Sequence, residues 1–372
     1  MKVALVHDYL VQYGGGERVL EAMSDLFPSA PIYTLMYDSE SMYGAFHDKD
    51  IRTSFIQNIP WAKQKHRMFP WLMPLGIEDL DLSEYDVVIS SSSSYAKGII
   101  TDPDTIHISY CHTPMRYAWD DCHRYFTEFQ YSSFVKSLLP FAMNYIRMWD
   151  KVSADRVDYY VANSKNVARR IKKYYHLEAD VIYPPVSVND FPEVIRPEEP
   201  YYLIVGRFLA YKHYDIVIEA FCENGKLLKI VGAGPEENTL KQLAQGYPNI
   251  EFMGRLQDEE TRLLFSGCEA VLFPSEDDFG IVPVESMAAG RPVIAYAQGG
   301  ALESVIDGVT GIFFTEQTAQ SITSAVQRFE RLDFDSEIIR RNAQVFSQER
   351  FQSELLHFVN TKYNQHHYEE RI

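Results

Sequence analysis

Cysteine is scarce, four in 372 residues, which is too few for a disulfide framework. The opening stretch Met1-Lys2-Val3-Ala4-Leu5-Val6-His7-Asp8 has too short an apolar run for a secretory leader and reads as a buried strand. A reduced, cytoplasmic protein is therefore expected. No apolar run approaches the ~18 residues that a membrane span needs. Positive charge is also in deficit: 35 Lys and Arg against 52 Asp and Glu leave a formal charge of −17, which argues against a dedicated nucleic-acid binder. Solenoid-length repeats are missing, and the one low-complexity tract is Ser90 to Ser94. Neither Gly14-Gly15-Gly16 nor Gly232-Ala233-Gly234-Pro235 has the spacing of a dinucleotide fingerprint.

What is present is an ordinary globular composition, 46% hydrophobic and 23% charged, in a chain long enough for two or three domains. Short apolar runs alternate with helical patterns. In the first half the strand candidates are Val3 to Val6, Asp86 to Ser90, Thr105 to Tyr110 and Tyr159 to Asn163. Helices are predicted from Glu17 to Phe27 and, behind Ser164 as a cap, from Lys165 to Tyr175. Tyr183-Pro184-Pro185-Val186 and the run Pro192 to Pro200 interrupt the pattern as a linker, because proline restricts itself and its predecessor. A second series follows at Tyr202 to Gly206, Leu227 to Gly232, Ile250 to Phe252, Ala270 to Phe273, Pro292 to Ala295 and Gly311 to Phe314.

Continuous apolar strands between helices indicate parallel sheets covered on both faces. The expected fold is α/β, with two Rossmann-like doubly wound domains facing across a cleft. Residues 1–185 would form the first and 186–345 the second, with a helix at about 346–372 crossing back to the first. Phe351, Leu355, Leu356, Phe358 and Val359 give that last helix its apolar spacing.

Four segments carry chemistry. Phe273-Pro274-Ser275-Glu276-Asp277-Asp278-Phe279-Gly280 runs from a strand into an acidic loop, and a helix is expected to begin near Pro283, putting Glu285 in its first turn. Carboxylates there can accept hydrogen bonds from sugar hydroxyls; a solvated acidic loop is the plainer alternative. Gly206-Arg207-Phe208-Leu209-Ala210-Tyr211-Lys212 sets two cations just past a strand, which suits a diphosphate leaving group. Gly14-Gly15-Gly16 opens a helix whose N–H groups could meet phosphate, or is simply a tight turn. Tyr110-Cys111-His112-Thr113-Pro114 ends another strand with a histidine that is either structural or faces the cleft.

Together and in this order, the glycine loop, the H-x-P segment, the G-R-x₄-K segment and the acidic E-x₇-E region resemble the GT-B glycosyltransferases of family 4 (group 1), over most of the chain. The resemblance implies a retaining hexosyltransferase, with UDP-glucose favoured as donor and GDP-mannose next, serving polysaccharide biosynthesis. By it, Gly15 and Gly16 approach the donor diphosphate, which Arg207 and Lys212 hold. His112, Asp277, Phe279, Gly280, Ile281 and Val282 line the donor sugar, Glu285 binds the ribose, and Arg255 and Leu256 lie at the base. His112, Arg207, Lys212 and Asp277 form its catalytic set. One departure stands out: the first motif acid is Asp277, a methylene shorter than glutamate, with Glu276 beside it as the alternative. The implied chemistry is front-face attack, the leaving diphosphate drawing the acceptor proton.

No cofactor and no metal are expected. Asp48/Asp50, Asp79/Asp81, Asp102/Asp104 and Asp333/Asp335 match the D-x-D of metal-dependent transferases but read as turns. Cys111-His112 and Cys122-His123 have no common zinc spacing. The expected partners are a nucleotide-sugar donor and a glycan or lipid-linked acceptor, with peripheral membrane contact through the basic, aromatic segment Trp61 to Trp71 and an acceptor groove or core formed by Phe126 to Trp149. The first 190 residues carry −5 of the charge and are the less acidic side. A nucleotide-sugar 2-epimerase or a non-catalytic nucleotide-sugar-binding protein would use the same architecture; incubation of donor alone reveals the first, and lack of acceptor-dependent turnover the second.

Overall fold

The computed structural model describes residues 1–60, 62–65, 70–120, 133–194 and 197–369, with side chains at all of these except 64–65, 133–139 and 367–369. It divides into two compact units, Met1–Pro185 with Phe351–Ile372, and Val186–Arg350.

The first unit is built on a parallel sheet of seven strands: β1 (Val3–His7), β2 (Ile32–Thr34), β3 (Ile51–Thr53), β4 (Val87–Ser92), β5 (Ile106–Cys111), β6 (Tyr159–Ala162) and β7 (Asp180–Val181). Their spatial order is β3-β2-β1-β4-β5-β6-β7, so the winding reverses between β1 and β4. β4 and β5 are buried at every position, which is why they read as unbroken apolar or small-residue runs. Helices α1 (Gly15–Leu26), α2 (Ser133–Ala154) and α3 (Lys165–Tyr175) belong to this unit. Ser164 caps α3 by accepting from the Val167 amide at 3.0 Å, and Val167, Ile171 and Tyr175 form its buried stripe. The C-terminal helix Gln348–Glu369 adds Phe351, Leu355 and Val359 to the same core as Leu5, Leu20 and Tyr110. There the Phe351 ring meets Tyr110 edge-on at 5.6 Å, and Gln352 donates to the Ala22 carbonyl.

The second unit carries β8 (Tyr202–Val205), β9 (Leu228–Val231), β10 (Ile250–Gly254), β11 (Val271–Phe273), β12 (Val293–Tyr296) and β13 (Gly311–Phe314), in the order β10-β9-β8-β11-β12-β13. All these pairings are parallel, and the reversal lies between β8 and β11. Helix α4 (Tyr214–Asn224) follows β8, α5 (Ile281–Ala288) follows β11, and α6 (Ala319–Phe329) packs with α4 over one face of the sheet. Both units are therefore doubly wound α/β domains, as the strand pattern predicts. β2, β3 and β7 are additional; at two or three residues each they lie below the length at which a pattern shows.

In parallel doubly wound sheets, ligands bind beyond the carboxyl ends of the strands where the winding reverses. That rule selects the ends of β1 and β4 in one unit and of β8 and β11 in the other.

Candidate active site

In the first unit, the chain leaves β1 at His7, passes Asp8 and enters α1 through Gly14. Gly14 offers no side-chain cap, so the first-turn amides, those of Gly15 and Gly16 among them, have no acceptor within the helix. Such a helix start suits an anion. Asp8 is occupied elsewhere: it accepts from the amides of Ser93 (2.7 Å), Tyr95 (2.7 Å) and Ala96 (2.6 Å), tying the turn after β4 to β1.

Parallel pairing sets His7 opposite Ser91, and His112 follows β5 directly. His7 Nδ1 lies 3.1 Å from Ser91 Oγ, and the same hydroxyl lies 2.8 Å from His112 Nε2. Glu17, in the first turn of α1, brings Oε1 within 3.5 Å of His7 Nε2. All four side chains are buried. Burial, with a smaller contribution from His7, lowers the His112 pKa to about 3, so its imidazole is neutral at physiological pH. Gly16 is the near neighbour of this group: a Cβ there would stand 3.7 Å from both His112 Nε2 and His7 Cε1.

In the second unit, Gly206, at φ +142, follows β8 directly, and the chain then makes a short 3₁₀ turn at Ala210–Lys212. Glycines of the neighbouring loop make room for it. A Cβ on Gly232 would fall 1.9 Å from the Gly206 carbonyl oxygen, and one on Gly234 within 2.4 Å of the Phe208 carbonyl oxygen. The Gly232-Ala233-Gly234 segment therefore braces the cation loop. Lys212 Nζ sits over the Phe273 ring, 5.8 Å from its centre, at the end of β11, and reaches Asp277 Oδ2 at 2.5 Å. Arg207 lies on the exposed side of the same loop.

The acidic loop is backed by Gly299-Gly300. The Gly300 amide donates to the Asp277 carbonyl at 2.9 Å, and a Cβ on Gly300 would fall 2.3 Å from the Phe279 backbone. Glu276 is exposed, whereas Asp277 is about one-fifth exposed, and its Oδ1 is buried without a hydrogen-bond partner. A buried carboxylate oxygen with unused lone pairs asks for a donor, and a sugar hydroxyl is one.

Two expectations change. Helix α5 begins at Ile281, not Pro283, because Gly280 at φ +84 turns the chain into it two residues earlier. Proline is tolerated there since the first-turn N–H groups have no intrahelical acceptor. Glu285 is thereby the fifth helical residue, in the second turn, and its favourable placement against the helix dipole is correspondingly weaker. Phe279, expected beside the donor sugar, buries its ring against Phe346 at 5.5 Å, so its backbone is what it can offer a ligand. The half-buried Ile281 and Val282 lead the helix with amides that lack intrahelical acceptors.

Gly254, at φ +70, closes β10, and its carbonyl accepts from Gly232. Exposed Arg255 and half-buried Leu256 follow at that sheet edge. Among the described residues no cluster of three or more His, Cys, Asp or Glu could hold a metal. Of the D-x-D aspartates, Asp81 accepts from Ser83, Asp335 caps Ser336–Ala343, and Asp50 pairs with Arg52. Cys122-His123, Trp61, His66 to Phe69 and residues 126–132 lie outside the described residues.

Sequence reading missed His7, Glu17 and Ser91. The available signal was polar residues at the carboxyl ends of otherwise apolar strands, the positions that face a ligand in this architecture.

Comparison with known proteins places the chain in a family. The family model for glycosyl transferases group 1 matches residues 187–346, and that for glycosyltransferase family 4 matches 13–190. The human alpha-1,3/1,6-mannosyltransferase ALG2 is 28% identical over 235 residues, 54% of this chain and 55% of its own. The O-antigen chain mannosyltransferase C of Escherichia coli is 31% identical over 188 residues, 46% of this chain and 50% of its own. The chain thus spans about half the length of these curated relatives. Anabaena HepE, solved in complex with UDP, superposes with a TM-score of 0.71 at 18% identity, covering 97% of this chain and all of that one. With two family models lying end to end over residues 13–346, the chain belongs to the group 1, family 4 glycosyltransferases of the GT-B fold.

Proposed function

We propose that the chain is a metal-independent, retaining hexosyltransferase that moves a sugar from a nucleoside diphosphate donor to a glycan or lipid-linked saccharide in polysaccharide biosynthesis, at the cytoplasmic side of a membrane. The observation that carries the reading is the Lys212–Asp277 contact at the β8/β11 switch point: a cation for phosphate directly beside a carboxylate with an unused, buried oxygen. Arg207 and Lys212 hold the diphosphate and stabilise its charge as it leaves. Asp277 Oδ1 accepts from a hexose hydroxyl, with the backbone from Phe279 to Val282 alongside. Glu285 takes the ribose hydroxyls, and the segment Arg255-Leu256 meets the base.

In the first unit the Gly15 and Gly16 amides serve phosphate and His112 the transferred hexose. The carboxylates at the ends of its strands support retention without a covalent intermediate. Asp8 is engaged by three backbone amides, and Glu17, in the first turn of α1, is turned onto His7. Front-face attack, with a leaving phosphate oxygen taking the acceptor proton, needs no protein nucleophile.

Two relatives are named mannosyltransferases, which supports a mannosyl donor, in the form of GDP-mannose; UDP-glucose is the other donor that the resemblance implies. Calorimetric titration with GDP, UDP and ADP, then with the sugars of the nucleotide that binds, decides between them. Release of nucleoside diphosphate only when acceptor is added supports transfer. An isomeric nucleotide sugar formed from donor alone makes the chain an epimerase, and binding without turnover makes it a sensor.

A further inference from the structure

We infer that a neutral His7, set against the Glu17 carboxylate, and Ser91 form a buried, one-way relay that fixes His112 as its Nε2–H tautomer, leaving Nδ1 to accept a hydrogen bond from a hydroxyl of the bound hexose. The last step rests on the function proposed above; the tautomer does not.

The direction follows from the donor and acceptor capacities of the groups. The Glu17 carboxylate accepts only, and its Oε1 lies 3.5 Å from His7 Nε2, so the neutral His7 of the inference carries its ring proton on Nε2, facing the acid. His7 Nδ1 then holds a lone pair, and the Ser91 hydroxyl 3.1 Å away donates to it. With its one proton committed, Ser91 Oγ can only accept from His112 Nε2 at 2.8 Å, which puts the His112 proton there. His112 Nδ1 is left as an acceptor and has no hydrogen-bond partner among the described residues. Reversing the relay under a neutral His7 would turn its Nε2 lone pair towards a carboxylate; a doubly protonated His7 would donate to Ser91 and put the His112 proton on Nδ1, the outcome that overturns the inference. Burial of every member excludes the water that would otherwise let the hydroxyl choose either direction.

The three residues are thus positioning residues. They are brought together by the β1–β4 register and by the start of α1, 84 and 10 residues apart along the chain. A loss of His112 orientation alone would not need Glu17, which touches only His7 among them. The involvement of an acid two partners away is what marks a directional device.

The test is ¹⁵N NMR of the histidine side chains in the intact, donor-free chain at about pH 8, above an ordinary imidazole's titration near 6.5. His112→Gln assigns the signal. The expected spectrum has His112 Nε2 protonated and Nδ1 bare; a protonated Nδ1 overturns the inference, whatever the enzyme transfers. Ser91→Ala should give a mixed tautomer signal and Ser91→Thr, which keeps the hydroxyl, should restore the single one. In transfer assays Ser91→Ala and Glu17→Gln should lower kcat on the order of tenfold with donor KM little changed, and Ser91→Thr should recover most of it. Full kcat in Ser91→Ala, when His112→Ala is impaired, overturns the consequence for the sugar. If no donor is turned over at all, the function proposed above fails while the spectrum still decides the tautomer.

Discussion

Lys212 Nζ stands 2.5 Å from Asp277 Oδ2, joining the loop after β8 to the loop after β11 across the point where the sheet's winding reverses. The pair leaves Asp277 Oδ1 unsatisfied while Oδ2 is neutralised. An ammonium so held can turn towards a leaving phosphate with little reorganisation, which is how preorganised charge lowers a barrier. Lys212→Ala should therefore lower kcat and kcat/KM together by about 10²-fold or more, measured as initial rates of nucleoside diphosphate release. An alanine variant with parental turnover would remove Lys212 from the chemistry.

The same contact separates Asp277 from its neighbour. Asp277→Asn keeps the shape but loses the charge facing Lys212, whereas Glu276 is an exposed residue outside that contact. Asp277→Asn should cost on the order of tenfold or more in kcat/KM, and Glu276→Gln should stay within about twofold. The reverse ranking, in parallel progress curves, would transfer the first-acid role to Glu276.

Much of the scaffold was legible because buried parallel strands are unbroken apolar runs, and Tyr202 to Val205 or Gly311 to Phe314 can hardly be read otherwise. The short edge strand at Ile51–Thr53 carries an exposed Arg52 and leaves no such trace. Pro283 misled because proline is accepted anywhere in a first turn, so it marks a helix start without numbering it. The histidine chain was hidden for a different reason. His7 and Ser91 meet only through strand register, a long-range fact that no local pattern of residues encodes.

Gly16 offers a test that separates folding from binding. A methyl group there would find ordinary contact distances of 3.7 Å, and the residue is helical, where alanine is preferred to glycine by up to about 1 kcal/mol. Gly16→Ala should therefore fold with an unchanged or slightly higher Tm. Its Cβ would still intrude on an anion drawn to the α1 amides, so donor affinity should fall at least about tenfold by calorimetry. Parental affinity with parental Tm would take the glycine loop out of donor binding.

Acid should destabilise the first unit through its buried histidines. His107, bonded to Ser90 Oγ at 2.8 Å, is held down to about pKa 3 chiefly by burial, as is His112. An unfolded imidazole takes its proton near 6.5 while the folded one refuses it until about 3. Protons therefore favour the unfolded chain: the stability is complete above about pH 6.5 and is lost as the pH falls towards 3. Each histidine contributes a slope of up to about 1.4 kcal/mol per pH unit in that window. Between about pH 6.5 and 5 most carboxylates have yet to titrate, so urea midpoints there report the imidazoles. His107→Gln should flatten the slope by about one proton; an unchanged slope would mean that His107 is protonated in the folded chain.

Helix α2 presents Phe141, Tyr145, Met148 and Val152 to solvent at helical spacing, with Phe141 76% exposed, while Met143 and Ile146 on the other side are buried. No helix of the described residues is long and apolar enough to cross a membrane. An apolar stripe of this kind can sink into the headgroup boundary, and at about 1.5–3 kcal/mol for each large side chain buried, Phe141 and Met148 would dominate the partition. The chain's formal charge of −17 opposes attraction to anionic lipid, so insertion by this stripe should be at least as strong on zwitterionic vesicles. Flotation with both vesicle types should recover the parent chain, and Phe141→Ser with Met148→Ser should weaken partition roughly 10²-fold without changing Tm. Binding to anionic vesicles alone, insensitive to this pair, would move the contact to the basic segment 61–71, and no flotation on either would remove the membrane from the reading.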